Sequence, residues 1–406
     1  MVTYPNDWKK SQLLDHVDLV QGLTYTPENV KPYGTLVLRS SNIQNGRLSL
    51  NDNVYVNVHV PEEKMVQPGD ILVCVRNGSS ALIGKSCVLP KLNHTTFGAF
   101  MSVLRGDATG YFAKVFESNI VQEQVRGRSN ATINQITKKD FHSIMVTVPS
   151  EPEQEEIART LSYFDTYIDD LSELIEKKRG IRDGALEELL SGKKRLEGFS
   201  GIWEEIPLRS VLREKIKIGP FGSQLKKETL VKSGKYKVYG QENIYKRNFL
   251  IGNRFLSQAH FDRLSTCEIK GGDFLMSTMG TIGKCAIAPM NLQRGIMDSH
   301  LIRFRLNESK LLPLYLLHLF SDNYTYLSNQ TTKLAVGGIM DGLSVGIAKQ
   351  LTVLMPKDLR EQNAIANVLT TMDEEIEALE SERDKMIQIR VGAMDDLLTG
   401  RVRLSV

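Results

Sequence analysis

Phosphate binding is the first chemistry that the residue types suggest, because one stretch resembles a phosphate-binding loop. The stretch from Val75 to Ser86 ends in Gly84-Lys85-Ser86. Its glycines lie one residue too far apart for the GxxxxGK[ST] spacing, and no helix pattern follows them. The Gly-Lys pair recurs at Gly283-Lys284 without the serine. We interpret both stretches as strand-turn-strand, with Lys85 and Lys284 either facing DNA or simply exposed at a turn.

A catalytic triad or a metal site is the second possibility. Asp298-Ser299-His300 places three catalytic residue types side by side. Adjacent strand residues alternate faces, so they cannot form a triad by themselves, and a structural strand histidine is the favoured interpretation of His300. The seven histidines show no HxxxH or HExxH spacing, and the four cysteines form no CxxC pair. GxGxxG after a strand and the Asn/Asp-Pro-Pro-aromatic motif of adenine methyltransferases are also missing. We therefore expect a chain that is not an enzyme and holds no metal.

Side chains that could read DNA bases lie around matching turns. Arginine, asparagine and glutamine make two-point contacts to guanine or adenine edges, and lysine and arginine bind phosphates. An exposed loop near residue 220 is a further candidate. The alternative for each candidate is that it is simply a polar surface residue that contacts no base. The candidates are Arg39, Asn42, Gln44, Arg47, Lys85, Gly219, Ser223, Gln224, Gln241, Asn243, Lys246, Arg247 and Lys284.

Two segments of short strands and turns must position these residues. Between Trp8 and Pro149, four segments have β-type composition, with turn signals between them, and Ile136 to Phe141 forms a short helix or turn before the strand Ile144 to Val148. The four predicted strands are Val37–Arg39, Val54–Val56, Ile71–Val73 and Met101–Val103.

The segment from Trp203 to Met355 repeats this plan more loosely. Asn243-Ile244 matches Asn42-Ile43, Gly271-Gly272-Asp273 matches Pro68-Gly69-Asp70, and Leu301 to Phe304 matches Met101 to Leu104. A helix is expected from Leu311 to Leu319. The sequences of these two segments have diverged further from each other than those of the two long helices that follow them. We interpret this as one shared scaffold with two different specificities; the alternative is that globular segments simply tolerate more sequence change.

Two long helices follow these segments. Ser150–Leu196 and Asp358–Leu404 align without a gap at an offset of 208 residues, with roughly 17 of some 44 positions identical. This is the signature of an internal duplication. Each helix of some 41 residues would be about 60 Å long at 1.5 Å per residue.

Apolar residues in both helices are spaced four and three apart, as in a heptad seam. Capping boxes are expected at Ser150 with Glu153 and at Asp358 with Glu361, and left-handed C-terminal caps at Gly192 and Gly400. The predicted seam consists of Ile157, Leu161, Phe164, Ile168, Leu171, Ile365, Leu369, Met372, Ile376 and Leu379.

The matched pairs Gly184-Ala185 and Gly392-Ala393 interrupt good helix. Glycine costs about 1 kcal/mol relative to alanine at such positions. Small residues allow close approach by the other helix or by another protein, and a simple kink is the alternative.

Composition and charge bound the class of protein. With 406 residues, 41% of them hydrophobic, and no apolar run of membrane-spanning length, we expect two or three domains without a membrane partner. The N-terminus has no signal-peptide core, and a reducing cytoplasm fits the unpaired cysteines. Residues 197–355 carry a net charge of about +8 and residues 1–150 about +3, whereas each helical stretch carries about −4. The basic segments suggest a polyanion partner.

Chain connectivity predicts the direction of the helices. A domain of some 155 residues is roughly 40 Å across, too small to join the far ends of parallel rods of about 60 Å. We therefore predict an antiparallel coiled coil with one globular segment at each end, and the first segment near the C-terminus. The fold class is α+β: two mixed α/β domains separated by two long helices, with a pseudo-twofold internal repeat. The predicted boundaries are 1–149, 150–196, 197–355 and 356–406.

This arrangement resembles the specificity subunit of type I restriction–modification enzymes across essentially the whole chain. The resemblance rests on the paired helices with Leu-Leu-Ser/Thr-Gly endings at Leu189–Gly192 and Leu397–Gly400. It rests also on the Pro-x-x-x-Glu-Gln lead-in of the second copy, from Pro356 to Gln362 with one extra residue. It also rests on Gly219-Pro-Phe-Gly-Ser223, whereas the first lead-in is only Pro152-Glu-Gln154.

The resemblance implies two target-recognition domains that each read one half of a bipartite, asymmetric DNA site. The helices would set the gap between the half-sites and dock two methylation subunits, which use S-adenosylmethionine to methylate adenine. A restriction subunit would join for cleavage. The chain itself would have no cofactor and no active site. Because recognition domains vary widely, the resemblance assigns no base-contacting residue.

Two other function classes stay open on the sequence alone. One is a coiled-coil scaffold whose basic globular segments bind nucleic acid without reading sequence. The other is an enzyme whose active site is too dispersed to recognise. The target bases and the length of the gap are not encoded in any pattern that we can read.

Overall fold

The chain folds into two compact units, which are described separately. The computed structural model describes residues 4–128, 134–221, 224–226, 230–279, 283–335 and 344–405. The first unit combines Met1–Ser172 with Ser381–Val406, and the second is Glu173–Glu380. Each unit thus contains one globular segment and a part of each long helix.

The first unit is built mainly from short strands. Their sequences are rich in β-branched residues, and the strands Ile71–Cys74 and Thr95–Phe97 are buried along their whole length. Its elements are β1 (Lys9–Gln12), β2 (Asp18–Gln21), β3 (Val30–Lys31), β4 (Thr35–Leu38), β5 (Ile43–Gln44), β6 (Arg47–Leu48), β7 (Val54–Val56), β8 (Ile71–Cys74), β9 (Ser86–Val88), β10 (Thr95–Phe97), β11 (Met101–Arg105), α1 (Tyr111–Glu117), α2 (Asn119–Arg128), α3 (Lys138–His142), β12 (Met145–Val148), the first part of α4 (Glu151–Leu190) and the last part of α10 (Leu359–Thr399).

Two four-stranded sheets form the body of the first unit. One has the order β10-β4-β7-β3 and the other β2-β11-β8-β9. The β10–β4 pair is parallel, and the other neighbours within these two sheets are antiparallel. A separate antiparallel pair, β1–β12, joins the two ends of the globular segment just before α4 begins. The four strands predicted in this segment and the short helix before β12 are confirmed.

The second unit repeats these elements. Its elements are the rest of α4, β13 (Trp203–Pro207), β14 (Lys217–Ile218), β15 (Tyr236–Tyr239), α5 (Gln241–Tyr245), β16 (Phe255–Leu256), α6 (Gln258–Arg263), β17 (Glu268–Ile269), β18 (Phe274–Ser277), β19 (Cys285–Ile287), β20 (Gly295–Met297), β21 (Leu301–Phe304), α7 (Pro313–Leu319), α8 (Thr325–Ala335), α9 (Val345–Ala348), β22 (Thr352–Pro356) and the first part of α10 (Leu359–Thr399).

Sheet topology matches between the units. The order β14-β21-β18-β19 repeats β2-β11-β8-β9, the parallel pair β15–β20 repeats β4–β10, and β13–β22 repeats β1–β12. The predicted correspondence between the two globular segments is therefore confirmed, and so is the helix expected before Leu319.

A buried aspartate stabilises the same turn in both units. The carboxylate of Asp70 accepts a hydrogen bond from the Gln67 backbone N–H at 2.8 Å and two from Arg105 at 2.8 and 2.7 Å. Asp273 is bound in the same way by the Lys270 N–H and by Arg305. Gly69 (φ 86°) and Gly272 (φ 82°) supply the left-handed backbone that these turns require.

The ends of the long helices follow their sequence signals, with one exception. Gly192 (φ 73°) and Gly400 (φ 70°) form left-handed C-terminal caps, as predicted. At the start of α10, Asp358 accepts a hydrogen bond from the Arg360 N–H at 2.8 Å. The predicted capping boxes are wrong at their second residue, because Glu153 and Glu361 bind tryptophan and arginine side chains instead.

Within each unit the two helical parts run antiparallel. In the first unit, Asp165 of α4 binds Arg390 of α10, whereas Tyr167 binds Glu382. Further along, Arg403 binds both Glu153 and Asp7, so the first globular segment lies beside the chain's C-terminus as predicted.

The second unit shows the same helical direction. Lys178 of α4 binds Glu375 of α10, Arg182 binds Asp373, and Arg195 binds Glu361. The partner's residue number falls as the number in α4 rises, which defines an antiparallel pair.

The predicted seam residues are buried or half-buried. Those near the start of each helix belong to the core of the adjoining globular segment: Ile157 and Leu161 pack in the first unit with Leu397 and Leu398. Ile365 and Leu369 pack likewise in the second unit. Of the remaining seam residues, Leu171 and Ile376 are buried. Phe164, Ile168, Met372 and Leu379 are half-buried.

Candidate nucleic-acid interface

A buried asparagine organises the turn that carries the first group of candidate residues. Asn42 has no exposed surface. Its Oδ1 accepts from the Arg39 N–H at 2.9 Å, and its Nδ2 donates to the carbonyl oxygens of Ser49 and Asp52, both at 3.0 Å. The prediction that Asn42 reads a base is therefore wrong, because its amide is buried and fully used by the backbone.

The second unit contains the same device. Asn243 is also fully buried. Its Oδ1 accepts from the Gly240 N–H at 2.9 Å, and its Nδ2 donates to the carbonyl oxygens of Asn248 and Ile251 at 3.0 Å. Asn243 is thus corrected from a base contact to a residue that holds the backbone from Asn248 to Ile251 in place.

The two braced turns present different chemistry. In the first unit, β5 and β6 form a hairpin in which Gln44 pairs with Arg47. Asn45 (φ 51°) and Gly46 (φ 75°) provide its two-residue turn. In the second unit, α5 ends in Tyr245 and is followed by exposed lysine and arginine.

Gln44 and Arg47 both lie at the surface. Gln44 is exposed and donates to the Ser41 carbonyl at 2.9 Å. The Arg47 side chain is 51% exposed and forms an ion pair with Asp169 of α4. Both side chains are accessible to a large ligand, although Arg47 would have to exchange its ion pair with Asp169 for a contact with that ligand.

Arg39 is less available than Arg47. Its guanidinium is bound to the Asp52 carboxylate at 2.8 Å, with the side chain 35% exposed. Its Nε is buried and has no hydrogen-bond partner among the described residues. Arg39 therefore supports the turn that Asn42 braces.

Lys246 and Arg247 are exposed, and neither forms an ion pair within the described part of the chain. The loop that follows them is hydrogen-bonded to Lys237, a buried residue of β15. Its Nζ donates to the carbonyl oxygens of Phe249 and Leu250 at 3.0 and 2.8 Å. The backbone at Phe249 and Leu250 is thus anchored two to four residues after the exposed Lys246 and Arg247.

The two candidate turn lysines already have partners. Lys85 follows Gly84 (φ 82°) and donates to the Ser40 carbonyl at 3.3 Å. Lys284 follows Gly283 (φ 84°) and forms an ion pair with Asp322. Antiparallel strands flank both lysines, β8 with β9 and β18 with β19, as the strand-turn-strand prediction requires, although residues 280–282 lie outside the described residues.

Residues of the candidate loop near position 220 separate into three cases. Gly219 is buried, and a Cβ there would lie 1.8 Å from the Asp298 carbonyl oxygen, so packing requires glycine at this position. Ser223 lies outside the described residues. Gln224 is exposed. Gln241 does not belong to this loop but begins α5, in the turn that Asn243 braces, and donates to the Met279 carbonyl at 2.6 Å.

A groove in the second unit collects three of the candidates. It has a volume of about 1060 Å³ and is lined by Lys246, Arg247 and Lys284 on one side and by Arg182 and Asp373 of the long helices on the other. Since Asp322 neutralises Lys284, Lys246 and Arg247 are the candidate cations left for a polyanion.

The first unit has an equivalent groove of about 720 Å³ between the hairpin and the long helices. Arg47 lines it, opposite Asp165. Burial raises the pKa of Asp165, but hydrogen bonds from Lys114 and Arg390 outweigh burial, so the pKa lies below its ordinary value. The Asp165–Arg390 and Asp373–Arg182 pairs occupy matching places in the two units.

His318 gives the second unit a pH-sensitive contact. It is buried, and its Nε2 lies 2.9 Å from the Thr370 hydroxyl. Burial lowers the pKa of His318 to about 4, although Asp373 opposes this effect. The imidazole is thus neutral in the folded chain at neutral pH, whereas it would titrate near 6.5 in the unfolded chain.

We expect stability to fall as the pH drops from about 6.5 towards 4, because only the unfolded chain takes up this proton in that range. The contribution of His318 should reach at most about 3 kcal/mol. Urea unfolding between about pH 7 and pH 5 should show a weaker pH dependence for His318→Gln than for the original chain. His300→Gln is the control, since His300 is 47% exposed. Equal pH dependence for all three proteins would contradict this assignment.

Two buried glutamates were missed as functional candidates. Glu361 is fully buried and accepts two hydrogen bonds from Arg195, at 2.6 and 2.7 Å, and one from the Trp203 indole at 3.4 Å. Arg195 also lies over the Trp203 ring, 5.5 Å from its centroid. We call this group the second-unit clamp.

The first-unit clamp is built from the matching residues. Glu153 binds Arg403 at 2.8 Å and the Trp8 indole at 3.2 Å, and Arg403 lies 5.8 Å from the Trp8 ring centroid. In both clamps the arginine follows one long helix and the glutamate belongs to the start of the other. Identity at the 208-residue offset and the matched tryptophans were the signals that could have identified them.

The described residues offer neither a metal-binding cluster nor a membrane-spanning helix. No group of three or more histidine, cysteine or carboxylate side chains there could hold a metal ion. None of the described helices combines the length and apolar character needed to cross a membrane. The four cysteines are free and buried.

Comparison with known proteins identifies a family. The family described as "Type I restriction modification DNA specificity domain" matches residues 5–178 and 213–388. The type I restriction enzyme EcoKI specificity subunit of Escherichia coli (strain K12) is 27% identical over 228 residues, or 52% of this chain and 49% of that protein. The match therefore spans about half the length of that relative.

Two further comparisons extend over the whole chain. The type I restriction enzyme MjaVIII specificity subunit of Methanocaldococcus jannaschii is 22% identical over 431 residues, covering 98% of this chain and 94% of that protein. The crystal structure of a type I restriction-modification system S subunit from M. genitalium has the same fold, with a TM-score of 0.63, 18% identity and 97% of each chain covered. The chain thus belongs to the family of type I restriction modification DNA specificity domains, with one match in each half of its sequence.

Proposed function

We propose that this chain is the sequence-reading, non-catalytic subunit of a type I restriction–modification complex. Its membership of the specificity family supports this role. The observation that carries the proposal is the contrast between the two braced turns. Asn42 and Asn243 make the same hydrogen bonds in two units of the same topology, yet the residues displayed above them differ.

That contrast is what reading two different half-sites would require. A shared scaffold fixes where a turn projects, and its side chains decide which base edges it binds. The first unit would use Gln44, Arg47 and Lys85. The second would use Gln224, Gln241, Lys246 and Arg247. A bipartite, asymmetric target follows, because two unlike readers cannot match a palindrome.

The long helices would set the distance between the half-sites. We propose that α4 and α10 form one antiparallel coiled coil, with residues 1–149 and 197–355 as recognition domains at its opposite ends. The antiparallel contacts found within each unit support this arrangement. Two readers on such a spacer would bind half-sites about one helical turn of DNA apart, or about 34 Å.

The partners follow from this role. Double-stranded DNA, two methylation subunits and a restriction subunit would assemble with the chain. Adenine methylation would take place in the methylation subunits with S-adenosylmethionine, and no cofactor would bind to this chain.

Methylation mapping tests the proposed function. The chain and the methylation subunit of its source organism would be expressed together in a host that lacks adenine methylation, and modified adenines would be mapped across the genome. We expect one split, asymmetric motif with a constant gap. The methylation subunit expressed alone is the control and should leave no such motif.

Two results would contradict the proposal. Methylation without any sequence motif would favour a scaffold that binds nucleic acid without reading it. A continuous or palindromic motif would contradict two unlike readers held apart by the helices.

A further inference from the structure

An exposed phenylalanine of the first unit carries an arginine on the face of its ring. Phe100 is 56% exposed. The guanidinium carbon of Arg76 lies 5.1 Å from the centroid of this ring. Arg76 is also exposed, and the sequence suggested neither residue as a candidate. We call these two residues the stacked pair.

The backbone fixes the stacked pair beside the first braced turn. Arg76 follows β8, and its N–H donates to the Phe100 carbonyl at 3.1 Å. The next residue, Asn77, donates from its Nδ2 to the Ser40 hydroxyl at 3.0 Å. Since Ser40 lies in the turn that Asn42 braces, the stacked pair and this turn belong to one surface of the unit.

Within the described part of the chain, Arg76 has no carboxylate partner, unlike the other arginines near this turn. Arg39 and Arg47 each form an ion pair with an aspartate. Residues 129–133, which lie outside the described part, include no aspartate or glutamate. The Phe100 ring binds the guanidinium through its π face, which leaves the N–H donors at the guanidinium edge for a ligand.

The second unit shows different chemistry at the same place. Met279 follows β18 as Arg76 follows β8, and His300 directly precedes β21 as Phe100 precedes β11. The backbone contact is repeated: the residue before Met279 donates to the His300 carbonyl at 2.9 Å, and the residue before Arg76 donates to the Phe100 carbonyl at 3.0 Å. The shared fold therefore does not require an arginine on a phenylalanine here.

We infer that Arg76, held on the ring of Phe100, reads a guanine in the half-site of the first unit. This inference rests on the proposed function and adds a specificity-determining residue to it. Guanine presents O6 and N7 side by side in the major groove, and the guanidinium fork donates to both. Phe100 is the positioning residue, because its ring restricts the arginine before DNA binds and so lowers the entropy cost of the contact.

Charge and position favour DNA over a protein carboxylate as the occupant. Residues 1–150 carry a net charge of about +3, which attracts a polyanion. The exposed Gln44, whose amide suits an adenine edge, follows the same braced turn. An arginine and an amide that can each make two-point contacts thus lie on one surface of a basic segment.

A modified base tests the inference. 7-Deazaguanine lacks the N7 acceptor but still pairs with cytosine, and it would replace each guanine of the mapped motif in turn. The duplexes would be titrated with the full chain assembled with the methylation subunit. We expect one guanine at which the replacement weakens binding of the original chain at least about fivefold. With Arg76→Ala, which already binds more weakly, the same replacement should cost nothing further.

A control base and three variants separate the base contact from other effects. Inosine at that position keeps O6 and N7, so it should affect the original chain and Arg76→Ala equally. Arg76→Lys keeps the charge without the fork and should lose the response to 7-deazaguanine at an unchanged salt slope. Phe100→Ala should lose part of the response. Lys91→Ala removes an exposed cation at the opposite end of β10 and should keep the full response.

Folding and the proposed function are checked separately. All the substituted residues lie at the surface, so the thermal midpoints should stay within about 2 °C of the original chain. If methylation mapping finds no sequence motif, the proposed function fails. If a motif exists but no guanine shows a response that depends on Arg76, only the guanine contact is overturned. Equal weakening of Arg76→Ala on every sequence, with a smaller salt slope, would likewise overturn it and identify a phosphate contact.

Discussion

Replacing Glu361 with alanine should destabilise the second unit by about 2–4 kcal/mol. The carboxylate is fully buried and receives two hydrogen bonds from Arg195 and one from Trp203. Its removal leaves a guanidinium and an indole N–H without their acceptor. Because the Arg195 side chain is 27% exposed, water can recover part of this loss, which keeps the effect below that of a fully buried pair.

Urea unfolding at neutral pH would measure this effect. Glu361→Gln should lose less than Glu361→Ala, since it keeps the shape and one acceptor oxygen. Glu380→Ala is the control on the same helix: Glu380 binds Arg179 at the surface, so its loss should change the free energy of unfolding far less. Similar values for Glu361→Ala and Glu380→Ala would show that the clamp does not stabilise the unit.

The first-unit clamp provides an internal comparison. Glu153 is nearly as buried as Glu361, but Arg403 is 42% exposed, more than Arg195. Glu153→Ala should therefore destabilise its unit less than Glu361→Ala does. The reverse order would mean that burial of the arginine does not determine the strength of a clamp.

The double variant Lys246→Ala/Arg247→Ala should bind the DNA motif found by methylation mapping about 10- to 100-fold more weakly than the original chain at moderate salt. Both side chains are exposed on a loop held by Lys237 and Asn243, so truncation should remove contacts without disturbing the fold. Two lost phosphate contacts would reduce the slope of log affinity against log salt by about 1.8. Fluorescence anisotropy with duplex DNA at several salt concentrations measures both quantities.

A control with the same loss of charge isolates the contact. Lys333→Ala/Lys349→Ala removes two exposed cations from the same unit, away from the groove. It should weaken binding much less than Lys246→Ala/Arg247→Ala. DNA changed only in the other half-site should lose affinity equally in all three proteins, because the first unit is unaltered. Equal effects of the two double variants would mean that the groove is not the DNA-binding surface.

Local signals explain why much of the fold was predictable. Gly192 and Gly400 end their helices because a left-handed cap needs glycine, and Gly69 and Gly272 mark turns for the same reason. Polar helices were harder to predict: α2, with only Val121 and Val125 buried, has a weak apolar period and was not anticipated. Its formation depends on what it packs against.

The candidate site was predicted less well than the fold. Residue type alone made Asn42 and Asn243 attractive as base contacts, although both are buried by their own turns. Gly219 was included with exposed residues, although its backbone packs against Asp298. Arg47, Lys246 and Arg247 lie at the surface, as a residue that contacts DNA must.

The amino-acid sequence by itself determined the duplication, the extent of the long helices, their terminal caps and the matching turns. These features depend on residues within a few positions of one another, or on the comparison of one half of the chain with the other. Only the tertiary structure decided which polar residues are buried, and that Glu153 and Glu361 bind distant arginines rather than the helix backbone. The residues of these two ion pairs lie 250 and 166 positions apart, a separation that no local pattern encodes.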